Sequence, residues 1–301
     1  MKQYDIAILT DARYESPEVV NQYSENILLE DKILKDALEK VGLTVIKVDW
    51  ARKDFDWHSV DYAVFRSTWD YAERFREFST WCEDVMKKTV LINPYQQIRW
   101  NMDKHYLQDL EQKGINIPDS VFIEPGQKIT LSELHNAYGW TITVLKPAIS
   151  AGGRHTYKLH KDHLEDYESV FQELITEESM MLQPFLKNVS LKGELSLMMM
   201  NGQFTHAVIK KAKAGDFRVQ DDFGGSVESH QATQEEIAFA QNVMNACEPL
   251  PLYARVDIVW DNDDQLALSE LELIEPELWF RLYPAAADVL AEGVLNLVND
   301  K

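Results

Sequence analysis

Leu252-Tyr253-Ala254-Arg255-Val256-Asp257-Ile258-Val259-Trp260, then Asp261-Asn262-Asp263-Asp264-Gln265, then Leu266-Ala267-Leu268-Ser269-Glu270-Leu271-Glu272-Leu273-Ile274 read as two strands joined by a polar turn. If Asp261 and Leu266 close a four-residue loop, counting back in register sets Asp257 opposite Glu270. Glu272 lies two residues along and so on the same face. Val256, Ile258, Leu271 and Leu273 then face elsewhere. Three carboxylates brought together repel unless a cation neutralises them. Oxygen-only ligands favour Mg²⁺ or Mn²⁺ over zinc. The bland alternative is a solvated strand face in an acidic protein, and the Leu and Ile between the acids argue against it.

Upstream, Glu194–Met200 and Gln203–Lys211 flank Asn201-Gly202, a pair that favours a two-residue type I′ hairpin turn. Met198, Met199 and Met200 read as sheet packing. Further back, Thr141–Lys146 and Thr156–Leu159 are strands around the loop Ala148–His155. Lys146 ends a strand, and Ser150-Ala151-Gly152-Gly153 is small enough for backbone N–H groups to approach phosphates. It lacks the spacing of a P-loop and does not open a helix, so an ordinary turn stays open as the alternative. Helices are expected over 101–113, 164–175, 232–247 and 285–298, with 180–186 a strand or hinge.

The N-terminal part has another texture. Strands over 4–10, 44–48, 61–66 and 89–93 alternate with helices over 27–41 and 75–85, which predicts a small open α/β sheet. Ligands of such sheets sit beyond strand C-termini, so the loops after Leu9 and Phe65 are candidate site loops. In the second, Arg66 suits a carboxylate, and Trp69 and Tyr71 could wall a small pocket. An ordinary loop with an aromatic anchor is equally compatible. Lys210 and Arg218, flanking a flexible stretch, could grip a transferring phosphoryl group, or be solvated bases.

Fifty acids against thirty bases give a net charge of −20. Such a chain repels phosphate backbones and anionic membranes, so neither nucleic acid nor membrane is an expected partner. Cys82 and Cys247 lack metal or redox spacing, and with no leader-like segment the default expectation is cytoplasmic. The eight histidines form no metal pattern; His58, His135, His160 and His163 read as surface positions. No nucleophile-elbow motif occurs.

The ordered set from Asn101 to Pro276 resembles the ATP-grasp superfamily, in particular the glutathione synthetase and RimK-like ligases. It runs through Asn101-Met102-Asp103-Lys104, Leu145-Lys146-Pro147, Gln183-Pro184-Phe185-Leu186, Gly193-Glu194, Lys210, Arg218, Arg255-Val256-Asp257 and Glu270-Leu271-Glu272. Arg66–Tyr71 and Asn93-Pro94 resemble a group that includes a cyclo-ligase of D-cycloserine biosynthesis. The resemblance implies an α/β and α+β fold: an open α/β lobe (1–98), a central lobe with the glycine loop (99–186) and a C-terminal lobe with the metal carboxylates (187–301). It implies that Lys104 and Lys146 contact ATP phosphates under a loop containing Ser150, Gly152 and Gly153. Gln183, Phe185 and Leu186 would flank adenine, with Glu194 at the ribose or hinge. Lys210 and Arg218 would hold the γ-phosphate, and Asp257, Glu270 and Glu272 would bind two Mg²⁺. Many members carry asparagine where Glu272 stands here. The implied activity joins a small carboxylate to an amine at the expense of ATP. A phosphotransferase and a non-catalytic nucleotide-binding module remain as alternatives, and self-association stays open.

Overall fold

The computed structural model describes residues 2–150, 153–213 and 225–300. Near the N-terminus, β1 (Tyr4–Thr10), α1 (Ala12–Glu15), α2 (Gln22–Lys40), β2 (Val45–Asp49), β3 (Val60–Ser67), α3 (Phe75–Val85) and β4 (Val90–Ile92) build a parallel sheet of order β2-β1-β3-β4. Alternation along the strands sets the layers. Ile6, Ile8, Tyr62 and Val64 pack with Leu34 and Leu38 of α2. Ala7, Leu9, Ala63 and Phe65 pack with Phe78, Cys82 and Val85 of α3.

Two helices follow, α4 (Tyr95–Asn101) and α5 (Tyr106–Gln112), where one helix over 101–113 was expected. The chain breaks between them because the Lys104 N–H leaves helical bonding and donates to Ala148 O at 3.0 Å. Helix α4 also runs across residue 98.

The second sheet is antiparallel. β5 (Val121–Ile123), α6 (Leu131–Tyr138), β6 (Ile142–Pro147), β7 (Tyr157–His160), α7 (Glu165–Glu177) and β8 (Met180–Pro184) give the order β5-β8-β6-β7. Leu145, Leu159, Met180 and Leu182 pack against α6 and α7. Alternation leaves Val144, Lys146, Met181 and Gln183 on the opposite face. His135 is not at the surface: on the inner side of α6 it is buried, with Nδ1 against Trp140 O and Nε2 against Thr143 Oγ1, both at 3.0 Å.

The third sheet uses α8 (Lys187–Lys192), β9 (Glu194–Met200), β10 (Gln203–Lys211), β11 (Ser226–His230), α9 (Gln234–Asn245), β12 (Tyr253–Trp260), β13 (Leu266–Glu272) and α10 (Ala285–Asn299), in the order β11-β10-β9-β12-β13. Asn201 and Gly202 have φ of 50° and 73°, as a type I′ turn requires. One face, with Leu195, Leu197, Val256, Ile258 and Leu271, packs on α5 and α9. The other is divided along its length. Met198, Met200, Val208 and Tyr253 join α2, α10 and the first sheet in one core, while its far end is polar. No described helix is long and apolar enough to cross a membrane.

Candidate active site

The polar end of that divided face carries the site. Asp257 pairs in register with Glu270, and Arg255 with Glu272. The expected facing is correct, but the turn differs from the one assumed. Trp260 pairs with Leu266 across a five-residue loop, 261–265, and the one-residue offset is restored where the register shifts between Asp257 and Ile258. Ser269 is the extra residue, a bulge that turns Glu270 and Glu272 toward Asp257. Without it, Glu270 would face the apolar core. The three carboxylates have oxygens within 4.8 Å of one another.

Neighbouring strands add to the patch by the same alternation. Ser196 pairs with Asp257 and donates to its Oδ1 at 2.5 Å. Lys210 pairs with Glu194, and its Nζ lies 2.5 Å from Glu194 Oε1 and 3.0 Å from Asp257 Oδ2. Arg255 reaches Asp257 Oδ2 at 2.8 Å and also donates to Glu272. From across the cleft, Lys104 Nζ meets Glu270 Oε1 at 3.1 Å and Ser150 O at 3.0 Å. The broken α4–α5 junction thus ties the glycine loop to the carboxylates. Lys146, half-buried on the open face of the second sheet, has no hydrogen-bond or ion-pair partner among the described residues. Desolvation pushes its pKa down, with Glu270 opposing and Lys104 reinforcing. Burial alone would raise Asp257, but Arg255 and Lys210 hold it well below the usual carboxylate range. Burial pushes Glu272 up to about 7, Arg255 opposing and Glu270 and Asp257 adding to it.

Glu194 therefore stands in the charge cluster, with Ser269 Oγ donating to its second oxygen at 3.2 Å. At the hinge, Gln183 is buried and donates to Ser120 Oγ at 2.8 Å. Phe185 N–H donates to Ile142 O at 2.8 Å, and Lys158 Nζ sits 3.6 Å from the centre of its ring. Asn262, in the hairpin loop, donates to Phe185 O and accepts from Lys187 N–H, both at 3.2 Å; Leu186 lies between them. Gly153 has φ of 71°. Arg218 and Gly152, and most of the stretch that follows Lys210, lie outside the described residues.

The loop after β3 reaches the same region. Arg66 is buried, with Nη1 donating to Pro276 O at 2.7 Å and its guanidinium over the Phe280 ring. Trp69 Nε1 donates to Glu275 O at 2.9 Å. Tyr71 is buried within the field of Glu275, Glu270 and Glu272.

Sequence reasoning missed the bonds that hold β13. Asn101 donates to Leu271 O at 2.7 Å and accepts from Leu273 N–H at 2.8 Å. Asn93 donates to Tyr253 O and Leu273 O, and Tyr106 Oη accepts from Leu271 N–H. These bonds satisfy the outer edge of an edge strand and so aim Glu270 and Glu272. Arg255, two residues from Asp257 on the same strand, could have been found by the count that found Asp257.

Two antiparallel sheets facing each other across lysines and carboxylates, with a glycine-bearing loop between, form the clamp of an ATP-grasp enzyme. The profile of the prokaryotic glutathione synthetase ATP-grasp domain matches residues 118–262. That of the N-terminal domain of D-cycloserine synthetase DcsG matches residues 6–93. The chain is 30% identical over 263 residues to the cycloserine biosynthesis protein DcsG of Streptomyces lavendulae, covering 81% of this chain and 86% of that one. The crystal structure of D-cycloserine synthetase DcsG superposes with a TM-score of 0.85 and 26% identity, over 97% of this chain and 99% of that one. D-alanine–D-alanine ligase from Bacillus anthracis shares the fold, with a TM-score of 0.67 and 15% identity over 99% of each chain. The chain belongs to the DcsG family of ATP-grasp enzymes and is an ATP-dependent C–N ligase.

Proposed function

We propose that the enzyme activates a small amino-acid-like carboxylate as an acyl phosphate and joins it to an amine, releasing ADP and phosphate. The observation that carries this reading is the unpartnered Lys146 facing the Lys104–Glu270 and Lys210–Asp257 pairs across one cleft. A carboxylate is a poor acyl donor because its oxygen leaves badly, and phosphorylation supplies a leaving group. Lys104 and Lys146 bind the ATP phosphates under the loop of Ser150, Gly152 and Gly153. Gln183, Phe185 and Leu186 flank the adenine, and Glu194 positions Lys210. Lys210 and Arg218 stabilise charge on the transferring phosphoryl group. Arg66, Trp69 and Tyr71 present the substrate. A lid that excludes water protects the acyl phosphate.

The carboxylate patch fits Mg²⁺. Its donors are all oxygens, and Mg²⁺–oxygen contacts of roughly 2.0–2.1 Å set opposed ligands about 4 Å apart, close to the spread observed. Asp257, Glu270 and Glu272 would hold the ion, which when bound neutralises phosphate charge. Mn²⁺ satisfies the same donor set. We take 1–98, 99–186 and 187–301 as the three lobes of this clamp. The relative's role in cycloserine biosynthesis supports a small substrate, with intramolecular ring closure as one form of the reaction. The test is a screen of amino acids and dipeptides for ATP-dependent phosphate release with product masses recorded. A condensed product plus free phosphate is expected. ADP with an accumulating phosphorylated carboxylate overturns the ligation step, and ATP binding without turnover overturns both.

A further inference from the structure

In its sheet β13 is the last strand, with β12 on one side only. Glu270 and Glu272 pair with Asp257 and Arg255 across that inner edge. The outer edge is where such a strand presents unpaired N–H and C=O groups. Here three side chains take the place of a further strand. Tyr106 Oη accepts from Leu271 N–H at 2.8 Å, and Asn101 Nδ2 donates to Leu271 O at 2.7 Å. Asn101 Oδ1 accepts from Leu273 N–H at 2.8 Å, and Asn93 Nδ2 donates to Leu273 O at 3.0 Å. All three side chains are buried, and they come from one connector: Asn93 follows β4, Asn101 ends α4 and Tyr106 opens α5.

The placement of these bonds matters more than their number. Leu271 O and Leu273 N–H lie on either side of Glu272, so the Asn101 amide brackets that residue as a neighbouring strand would. Asn93 is bound in turn at the start of β12, through Tyr253 O at 2.9 Å and Leu252 N–H at 2.7 Å. It therefore ties the two strands of the hairpin together. Lys104, between Asn101 and Tyr106, meets Glu270 Oε1 at 3.1 Å. The connector thus holds both the backbone beside Glu272 and the side chain of Glu270. Three carboxylates with oxygens within 4.8 Å of one another repel, and a strand free on its outer side can twist away from its partner. Sheet edges are usually blunted with charges, prolines or a covering loop. Buried neutral amides, each set against single backbone groups, supply position instead.

We propose that Asn101 is a positioning residue for the metal acids: it fixes the β13 backbone on both sides of Glu272 and so sets the spacing of Glu270 and Glu272 from Asp257. This deepens the Mg²⁺ reading above and rests on it. Both polar atoms of the Asn101 side chain are engaged by β13. Its loss should therefore be felt as a weaker grip on the cation and a higher Mg²⁺ requirement, with turnover restored when Mg²⁺ is raised.

Mn²⁺ titrations of the full chain with a non-hydrolysable ATP analogue test this. They are followed by electron paramagnetic resonance and corrected for Mn²⁺ bound by the analogue alone. Asn101→Ala should weaken Mn²⁺ binding by about 10–100-fold. Tyr106→Phe, which removes one bond, should act in the same direction by less. Affinity for the analogue in the presence of a chelator should be unchanged in both. In turnover, the Mg²⁺ concentration for half-maximal rate should rise while kcat at saturating Mg²⁺ is kept. Parent-like Mn²⁺ affinity in Asn101→Ala overturns the proposal. So does a loss of metal-free analogue binding as large as the loss of Mn²⁺ binding, the mark of general loosening. If Asn101→Ala does not fold, Tyr106→Phe decides by the same two criteria. Asp257→Asn keeps the two readings apart. If it weakens Mn²⁺ binding and Asn101→Ala does not, Asn101 is removed and the metal reading is spared. If it binds Mn²⁺ as the parent does, the metal reading falls, and the proposal with it.

Discussion

Asp257 and Glu272 stand on paired strands yet hold their protons differently. Burial opposes ionisation at both. At Asp257 it is outweighed by Arg255 and Lys210, whereas at Glu272 the help of Arg255 is opposed by Glu270 and Asp257. A divalent cation favours the ionised form of all three. Asp257→Asn or Glu270→Gln should therefore cut Mg²⁺-dependent turnover by roughly two to three orders of magnitude, the range for losing an electrostatic stabiliser of a transition state. Circular dichroism should show both variants folded, and near-normal turnover would dismiss the metal assignment. Lys146 has no partner to release, so a contact with phosphate would be a net gain. Lys146→Ala should weaken ATP binding by about 1.5–3 kcal/mol in calorimetry, and unchanged affinity would remove it from the phosphate site. His206 is a separate case. Desolvation pushes its pKa down to about 4, against hydrogen bonds from its ring to the backbone at Leu278 and Trp279. Between about 4 and the ordinary value near 6.5, the unfolded chain binds a proton that the folded chain does not. Stability is thus fully present above that window and falls as pH falls through it, by about 3 kcal/mol. Denaturation of His206→Gln, followed from pH 7 to 4, should lose about that much less than the parent. Parallel pH profiles would show that the imidazole is not held neutral.

The hairpins were legible as elements, because Asn201-Gly202 dictates its own turn and period-two alternation sorts acids from Leu and Ile. The clustering of the three carboxylates followed from counting along two strands. That count reached the right facing through two deviations that cancel, a five-residue loop and a bulge at Ser269, neither of which has a local sequence cue. The α4–α5 break was illegible because its cause, the Ala148 carbonyl, lies far along the chain from Lys104. Asn93 and Asn101 stand in the quoted motifs, but their hold on β13 was illegible for the same reason: their partners there lie 180 and 170 residues away. Gly193 shows how an element boundary serves the site. It has φ of +90°, and a Cβ there would lie 2.6 Å from Lys210 O. Only glycine lets β9 enter this close to β10, and the approach brings Glu194 beside Lys210. Gly193→Ala should cost at least about 1–3 kcal/mol for the backbone strain alone, read as a lower denaturation midpoint, with a further loss of turnover as Lys210 is displaced. Unchanged stability would mean that the two strands can part without cost.

At the scale of the whole molecule, the site is a balance of charges drawn from both halves of the clamp. Lys104, Lys146, Lys210 and Arg255 face Glu194, Asp257, Glu270 and Glu272, and three of the four cations are engaged by these carboxylates. ATP entering alone would draw the lysines to its phosphates and leave buried carboxylates without counter-charge, a costly state. Mg²⁺ entering alone would leave the displaced lysines and Arg255 facing a cation. Two Mg²⁺ ions carry the charge that cancels an ATP tetra-anion, so only joint entry keeps the cluster neutral. The two affinities should therefore be linked, each raising the other by the same factor, within the usual range of about 1–3 kcal/mol or roughly 5–150-fold. Part of that linkage belongs to ATP and Mg²⁺ in solution, and Asp257→Asn separates the two parts. The substitution removes the carboxylate that Lys210 and Arg255 share, so fewer buried charges are stranded when ATP binds without metal. ATP titrations of parent and variant, with Mg²⁺ and with a chelator, should show a smaller ratio of affinities in the variant, chiefly through tighter metal-free binding. An identical ratio in both proteins would place all of the coupling in solution and none in the lysine–carboxylate pairs of the cleft.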